Sequence, residues 1–245
     1  MRESVADAGP TADGPAVPPA EPSAGADPEA GGGIADLVAV MDRLRSPGGC
    51  PWDAEQTHES LVPYAVEEVA EVVEAVETGD RAGLREELGD LLLQVVFHAR
   101  VAQDHPDDPF DIDDVARGIA AKLRRRHPHV FGDVTVAGAA EVHRNWDAIK
   151  QTEKSRASAV DGIPPALPAL ARAQKVLGRL RRAGLPVPDR TARDAPDTAP
   201  DDAAADLGAR LLALVVEADA AGVDAEQVLR GTVRELEDRV RATGA

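Results

Sequence analysis

Leu91 to Phe97, LLLQVVF, is a nearly continuous apolar run broken only by Gln94, and it follows directly on ELGD. A helix carrying such a run has little surface left for solvent, so it belongs at the centre of a bundle or at a subunit interface. Elsewhere apolar residues recur at i, i+3 and i+4, and few stretches alternate with period two. Aromatics make up only 2% of the chain, so Ala, Val and Leu must fill the core. The expected fold class is all-α, a helical bundle. The 245 residues hold one large domain or two small ones.

A first helix is predicted over IADLVAVMDRLRS, with Ile34, Leu37, Val38, Met41 and Leu44 on one face, and SPGGCPWD breaks it. A second runs from an N-cap at about Thr57 to Glu77, with Pro63 early in it and Gly79 closing it. The third, about Asp80 to Gln103, contains the apolar run. A fourth covers about Ile112 to Arg126 and stops before His127-Pro128, and a fifth covers roughly Ala139 to Lys154. DGIPPALPAL punctuates the chain before a basic helix, Ala169 to Arg182. An acidic Pro/Ala linker at 185–203 precedes two last helices at about 204–220 and 224–242. Residues 1–32, rich in Pro, Ala, Gly and acids, are expected to be disordered.

The formal charge of -17 argues against general nucleic-acid binding, which needs a basic surface. Residues 1–32 hold six acids and one base, and 186–206 hold six acids and two bases, so roughly half of the excess lies outside the expected core. A single cysteine, Cys50, permits no internal disulfide and fits a reducing cytosol. No apolar leader and no run of about 18 apolar residues is present, which predicts a soluble, cytoplasmic protein without a membrane span.

Acids lie beside the apolar run in a pattern that helical geometry makes meaningful. Glu67 and Glu71 are i, i+4, while Glu68 and Glu71, and Glu87 and Asp90, are i, i+3. Each set converges on one patch of its helix, and a hairpin through Thr78-Gly79-Asp80 would let the patches face each other. Like charges at this spacing destabilise an isolated helix by roughly 0.2–0.5 kcal/mol per pair. Raised pKa values or a bound cation relieve them. Carboxylates with almost no nearby Cys or His suit Mg²⁺ or Mn²⁺ better than zinc. A solvated acidic helix face is the competing reading of EExxE alone.

With these acids in view, the chain resembles the MazG-type nucleoside triphosphate pyrophosphohydrolases of the all-α NTP pyrophosphatase superfamily, whose signature is EExxE followed by ExxD. Here it reads EEVAE (Glu67–Glu71) and ELGD (Glu87–Asp90). GGCPWDAEQTHESLVPY, GDLLLQVVFHAR, KLRRRHPHVFGDV and NWDAIKQTEK extend the likeness over about residues 33–182. The resemblance implies cleavage of an NTP between the α and β phosphates, giving NMP and pyrophosphate. It also implies that Glu68, Glu71, Glu87 and Asp90 are Mg²⁺ ligands, with Glu67 beside them touching substrate or polarising water; Glu67 and Glu71 are its catalytic candidates. Lys122, Arg125 and Arg126 of KLRRR, with Lys150, are implied phosphate contacts; favourable charge at a helix C-terminus is the other reading of that cluster. Trp146 corresponds to a family Trp near the nucleotide, and Tyr64 is a weaker substrate candidate. Trp52 is assigned to packing in the turn. His98 is read as a core or interface histidine, and His127 and His129 as a loop stabilising the basic helix. Cys50 is read as structural.

Family members often carry two related halves, and DLGARLLALVVEADA echoes ELGDLLLQVVFHAR with Asp206 at the Glu87 position and Ala209 at that of Asp90. Glu235 stands where the lysine analogous to Lys122 would be, so this half is expected to be catalytically dead. The domains are accordingly read as a tail at 1–32, a catalytic helical domain at 33–160, and a linker with a degenerate second half at 161–245. A homodimer completing the four-helix core is expected, with Leu91–Phe97 as the natural interface element. The competing functions are a non-catalytic helical dimer that binds nucleotide or a protein partner, and a pyrophosphatase selective for one pyrimidine dNTP. CPWD and RRHPHVF argue against the latter.

Overall fold

The computed structural model describes residues 32–188 and 203–244, apart from 140, 143–144, 147–148, 150–152 and 154–156. The tail and most of the acidic linker lie outside the described residues, as do Lys150 and parts of the fifth expected helix; the residues of that helix that are described are helical. Every regular element among the described residues is a helix. The chain divides into two compact units, one ending at Thr135 and the other beginning at Val136. No helix among the described residues is long and apolar enough to cross a membrane.

The first unit contains α1 (Gly33–Arg45), α2 (Pro51–Glu55), α3 (His58–Thr78), α4 (Arg81–Ala102), α5 (Ile112–Arg126) and α6 (Pro128–Phe131). Its centre is the α3–α4 hairpin, and local chemistry fixes both ends of α3. At the start, the Ser60 N–H donates to Thr57 Oγ1 and the Thr57 N–H donates to Ser60 Oγ, a reciprocal capping box. At the end, Gly79 takes the left-handed conformation at φ 72, and the Asp80 N–H returns to Ala75 O. Asp80 then caps α4 by accepting from the N–H groups of Ala82 and Gly83, both at 3.0 Å. One glycine and one aspartate thus reverse the chain tightly enough to lay the two acid-bearing helices side by side.

Met41, Leu61, Val96 and Phe97 form the buried core, with Leu37, Val38, Leu44, Leu92, Leu93, Val101 and Ile112 packed around them. Four of the five residues expected on the inner face of α1 are in this group, whereas Ile34 in its first turn is exposed. The breaker SPGGCPWD leads into the short helix α2, which propensity alone does not reveal. Gly49 is obligatory there, because a Cβ would lie 2.2 Å from Leu44 O. Arg45 ties this region to the far end of α4. Its guanidinium donates to Asp53 O and Gln56 O, pairs with Asp104 at 3.0 Å, and lies 5.8 Å from the Phe97 ring centroid. Arg100 joins the network through Asp42 at 2.8 Å and Asp104 at 2.9 Å. Burial pushes the Asp104 carboxyl up, but the two guanidiniums outweigh it and hold the group below the usual carboxylate range.

The apolar run of α4 is mostly used inside the unit. Gln94, Val96 and Phe97 are buried, Leu91 to Leu93 are half-buried, and Val95 is exposed. A more open apolar stripe lies on α3, where Val62, Val66, Val69 and Val76 are all at least half exposed and Val73 is half-buried. Their 4-3-4-3 spacing is that of a helix seam.

The second unit contains α7 (Ala169–Arg182), α8 (Ala203–Ala220) and α9 (Ala225–Ala242). Leu177, Val215 and Val216 make its buried core, joined by Leu170, Ala173, Val187 and Ala225. Gly222, at φ 70, and the N-cap Asp224 form the α8–α9 turn, repeating the Gly-then-Asp solution of the α3–α4 hairpin.

Candidate active site

The hairpin brings Glu68 and Glu71 of α3 together with Glu87 of α4, with carboxylate oxygens that all lie within 4.8 Å of one another. Glu68 and Glu87 are half-buried and Glu71 is exposed. The Glu68 carboxyl is raised above its ordinary range by partial burial, then by the charges of Asp90, Glu71 and Glu67 and a hydrogen bond with Glu71. Glu87 is raised by partial burial, the charge of Glu71 and a hydrogen bond with it, and the charges of Asp90 and Glu86. Asp90 therefore acts electrostatically on both helices' acids, although it lies outside the tightest group of three. Glu67, one residue before Glu68 and exposed, flanks the patch.

Such an arrangement is unfavourable by itself. Three carboxylates this close share protons or repel one another, and both raised groups report that strain. A divalent cation removes it, and an all-oxygen donor set suits a hard one. Among the described residues this is the one group of three or more acids, histidines or cysteines close enough to hold a metal. The second unit has no counterpart among its described residues. At the place analogous to the Glu87–Asp90 turn, Asp206 lies 3.7 Å from Arg210 and the next acid position is Ala209.

The remaining sequence candidates are distributed as follows. Lys122 and Arg125 are exposed near the C-terminal end of α5, whereas Arg126 is only 8% exposed. His127 ends that helix by donating from Nδ1 to Leu123 O at 2.7 Å, and its ring lies 5.6 Å from that of His129, in keeping with a segment that stabilises the basic helix. Trp146 is half-buried and lies in the second unit. Tyr64, one turn before Glu67 and Glu68, stands edge-on to Trp52, with centroids 6.0 Å apart. Trp52 also meets the core ring of Phe97 at 6.3 Å. The packing role expected of Trp52 is therefore combined with 51% exposure beside Tyr64, making a partly open aromatic ledge whose Tyr64 lies one helical turn before Glu67 and Glu68.

One pair escaped sequence reasoning. His58 of α3 and His98 of α4 are parallel and stacked, with Nδ1 atoms 2.9 Å apart. One ring must donate and the other accept, so the pair cannot be doubly protonated and stay bonded. Partial burial and the neighbouring His58 lower the His98 pKa. Only the antiparallel hairpin register brings these positions together, and no local motif announces it.

Residues 56–131 match the family model described as the MazG nucleotide pyrophosphohydrolase domain. An uncharacterized 26.1 kDa protein of Streptomyces cacaoi is 48% identical over 213 residues, covering 86% of this chain and 83% of that protein. A nucleoside triphosphate pyrophosphohydrolase of Mycolicibacterium smegmatis is 43% identical over 222 residues, covering 89% of this chain and 61% of that protein. The nucleoside triphosphate pyrophosphohydrolase/pyrophosphatase MazG of Thermotoga maritima is 37% identical over 227 residues, covering 87% of this chain and 86% of that protein. All four acids of the α3–α4 patch fall inside the matched domain.

Proposed function

This chain belongs to the MazG family of nucleotide pyrophosphohydrolases, and from that membership we propose that it hydrolyses nucleoside triphosphates to NMP and pyrophosphate with Mg²⁺ at the α3–α4 acids. The observation that carries this reading is the convergence of Glu68, Glu71 and Glu87 within 4.8 Å across the hairpin. Glu68, Glu71, Glu87 and Asp90 hold the cation, Mn²⁺ substituting for Mg²⁺. When bound, the cation neutralises phosphate charge, helps to orient an attacking water and stabilises the pyrophosphate leaving group. Glu67 and Glu71 border the reacting phosphate, where a carboxylate accepts the proton of the attacking water.

Lys122 and Arg125 supply exposed positive charge for the triphosphate, and Arg126, only 8% exposed, is the buried member of the same basic cluster. Tyr64 contributes an aromatic face for the nucleoside, and the family likeness adds Trp146 and Lys150 as substrate candidates. The chain carries no G-x-x-x-x-G-K loop, so metal and side chains take the part that backbone amides play in P-loop enzymes. The cellular role is clearance of standard or damaged nucleotides in the cytoplasm, and the net charge of -17 fits a small anionic substrate held by metal rather than nucleic acid.

The test is product identification. Purified protein with Mg²⁺ and a panel of ribo- and deoxyribonucleotides is expected to release NMP and pyrophosphate in equal amounts. NDP and phosphate, or no product with Mg²⁺ or Mn²⁺ across several pH values, would refute the reading and favour a nucleotide-binding protein.

The protein acts as a homodimer, and the α3 stripe supports this more directly than the run first considered on α4. Val62, Val66, Val69 and Val76 offer a seam that a second subunit covers. Val69→Lys is expected to raise the dimer dissociation constant at least about tenfold, one charge set into an apolar seam costing more than 1.4 kcal/mol. Sedimentation across a concentration series measures it, and an unchanged constant excludes this seam.

A further inference from the structure

Gln94 interrupts the apolar run of α4, and its surroundings make that interruption costly. The residue is only 8% exposed, and its Oε1 is sealed from solvent with no hydrogen-bond partner among the described residues. An acceptor stripped of water and left unpaired forfeits its hydration, whereas an apolar side chain of like volume in its place forfeits nothing. The large majority of buried side-chain polar atoms in folded proteins are paired, so an exception calls for a partner that arrives from outside the chain.

The place of Gln94 in the hairpin indicates which partner. It follows Glu87 by seven residues and Asp90 by four, so all three lie on one face of α4. Across the hairpin the charges of Glu68 and Asp90 act on each other, and His58 bonds to His98. Those two pairs fix the antiparallel register and set Gln94 between them, level with the turn of α3 that holds Tyr64. The amide thus lies one turn, about 6 Å of helix axis, beyond Asp90 and away from Glu87.

We propose that Gln94 is a specificity-determining residue whose amide hydrogen-bonds a sugar hydroxyl of the bound nucleotide. This role rests on the pyrophosphohydrolase reading above, in which cation and acids hold the phosphates and Tyr64 faces the nucleoside. The sugar is joined directly to the α-phosphate, and its hydroxyls extend from that phosphate by a span comparable to the turn between Asp90 and Gln94. A hydroxyl both donates and accepts, so it satisfies either end of the amide, whereas a phosphate oxygen only accepts and leaves Oε1 unpaired. A site that strips an amide of water for a hydroxyl also rejects the analogue lacking it, because the amide is then buried and unpaired again.

The experiment reads binding and is independent of turnover. Full-length protein with Mg²⁺ is titrated calorimetrically with α,β-methylene nucleoside triphosphates carrying ribose, 2′-deoxyribose or 2′,3′-dideoxyribose. Wild type is expected to bind the dideoxy form at least about tenfold more weakly than the ribose form, and the step at which affinity falls identifies the hydroxyl. In Gln94→Met, which nearly conserves volume, the three forms are expected to bind within about twofold of one another. The urea midpoint of the ligand-free variant is expected to equal or exceed that of wild type, since the unpaired amide is gone. A lower midpoint would overturn the proposal, a buried water or a protein group then already satisfying Gln94. Equal affinity of wild type for all three forms, or discrimination that persists in the variant, would overturn it and leave the pyrophosphohydrolase reading standing. Failure of every form to bind would overturn both.

Discussion

Glu71→Gln is expected to lower nucleotide turnover at least about a hundredfold while raising the melting temperature of the metal-free protein near neutral pH. Loss of groups that merely orient a metal ligand commonly costs 10–100-fold, and loss of a ligand should cost no less. The gain in stability follows from the same carboxylate's effect on its neighbours. Its charge and hydrogen bonds help to raise the pKa of both Glu68 and Glu87. A carboxyl with a raised folded-state pKa contributes stability that is fully present below its unfolded value of about 4.3. That stability is lost as pH rises through the elevated folded value. Metal-free wild type should therefore gain melting temperature as pH falls through the elevated folded values, and the variant should gain less. Saturating Mg²⁺ should stabilise wild type at pH 7 by mass action and have little effect on the variant. Unchanged turnover would remove Glu71 from the site, and a drop in metal-free melting temperature would contradict the electrostatic account.

Phe97→Ala is expected to produce the largest loss of stability, about 3–5 kcal/mol. Phe97 is 4% exposed and packs with Met41, Leu61 and Val96, so truncation leaves a cavity where α1, α3 and α4 meet. Two further contacts disappear with the ring. The Arg45 guanidinium loses the aromatic face beneath it, and Trp52 loses the edge contact that holds α2 against α4. Phe97→Leu keeps much of the volume and should cost under about 1.5 kcal/mol. Urea denaturation of both variants measures the difference. A loss below about 1 kcal/mol for Phe97→Ala would mean that Arg45 and its carbonyl and carboxylate partners, rather than apolar packing, hold this junction.

These two residues, Glu71 and Phe97, show what a linear sequence discloses. Helical period and capping chemistry are local, so α5 and α7 are read to the residue, and the Gly79-Asp80 reversal is legible because each residue has one conformational job there. The acid patch is legible for the same reason. Helical spacing collects Glu68 with Glu71 and Glu87 with Asp90, and one short turn suffices to set the pairs facing. What escapes is set by pairings across helices. Nothing near His58 in sequence specifies that it lies against His98, forty residues away. The role of Arg45 depends on carbonyls of Asp53 and Gln56 exposed by a short helix that propensity does not announce. The apolar run of α4 rightly predicts a central helix, Val96 and Phe97 lying in the core, but composition cannot say which neighbour covers it. The structure spends Val96 and Phe97 inside the subunit and leaves the open seam on α3.

The claim that Glu68, Glu71, Glu87 and Asp90 hold a divalent cation is tested most directly by the electron paramagnetic resonance of Mn²⁺. Adding metal-free wild-type protein should deplete the signal of free Mn²⁺ saturably, and excess Mg²⁺ should restore it. Glu87→Gln, which removes the α4 member of the close group, should leave the signal nearly undiminished at the same protein concentration. Equal depletion by wild type and variant, or none by either with nucleotide present, would contradict the account and return the acids to a solvated helix face.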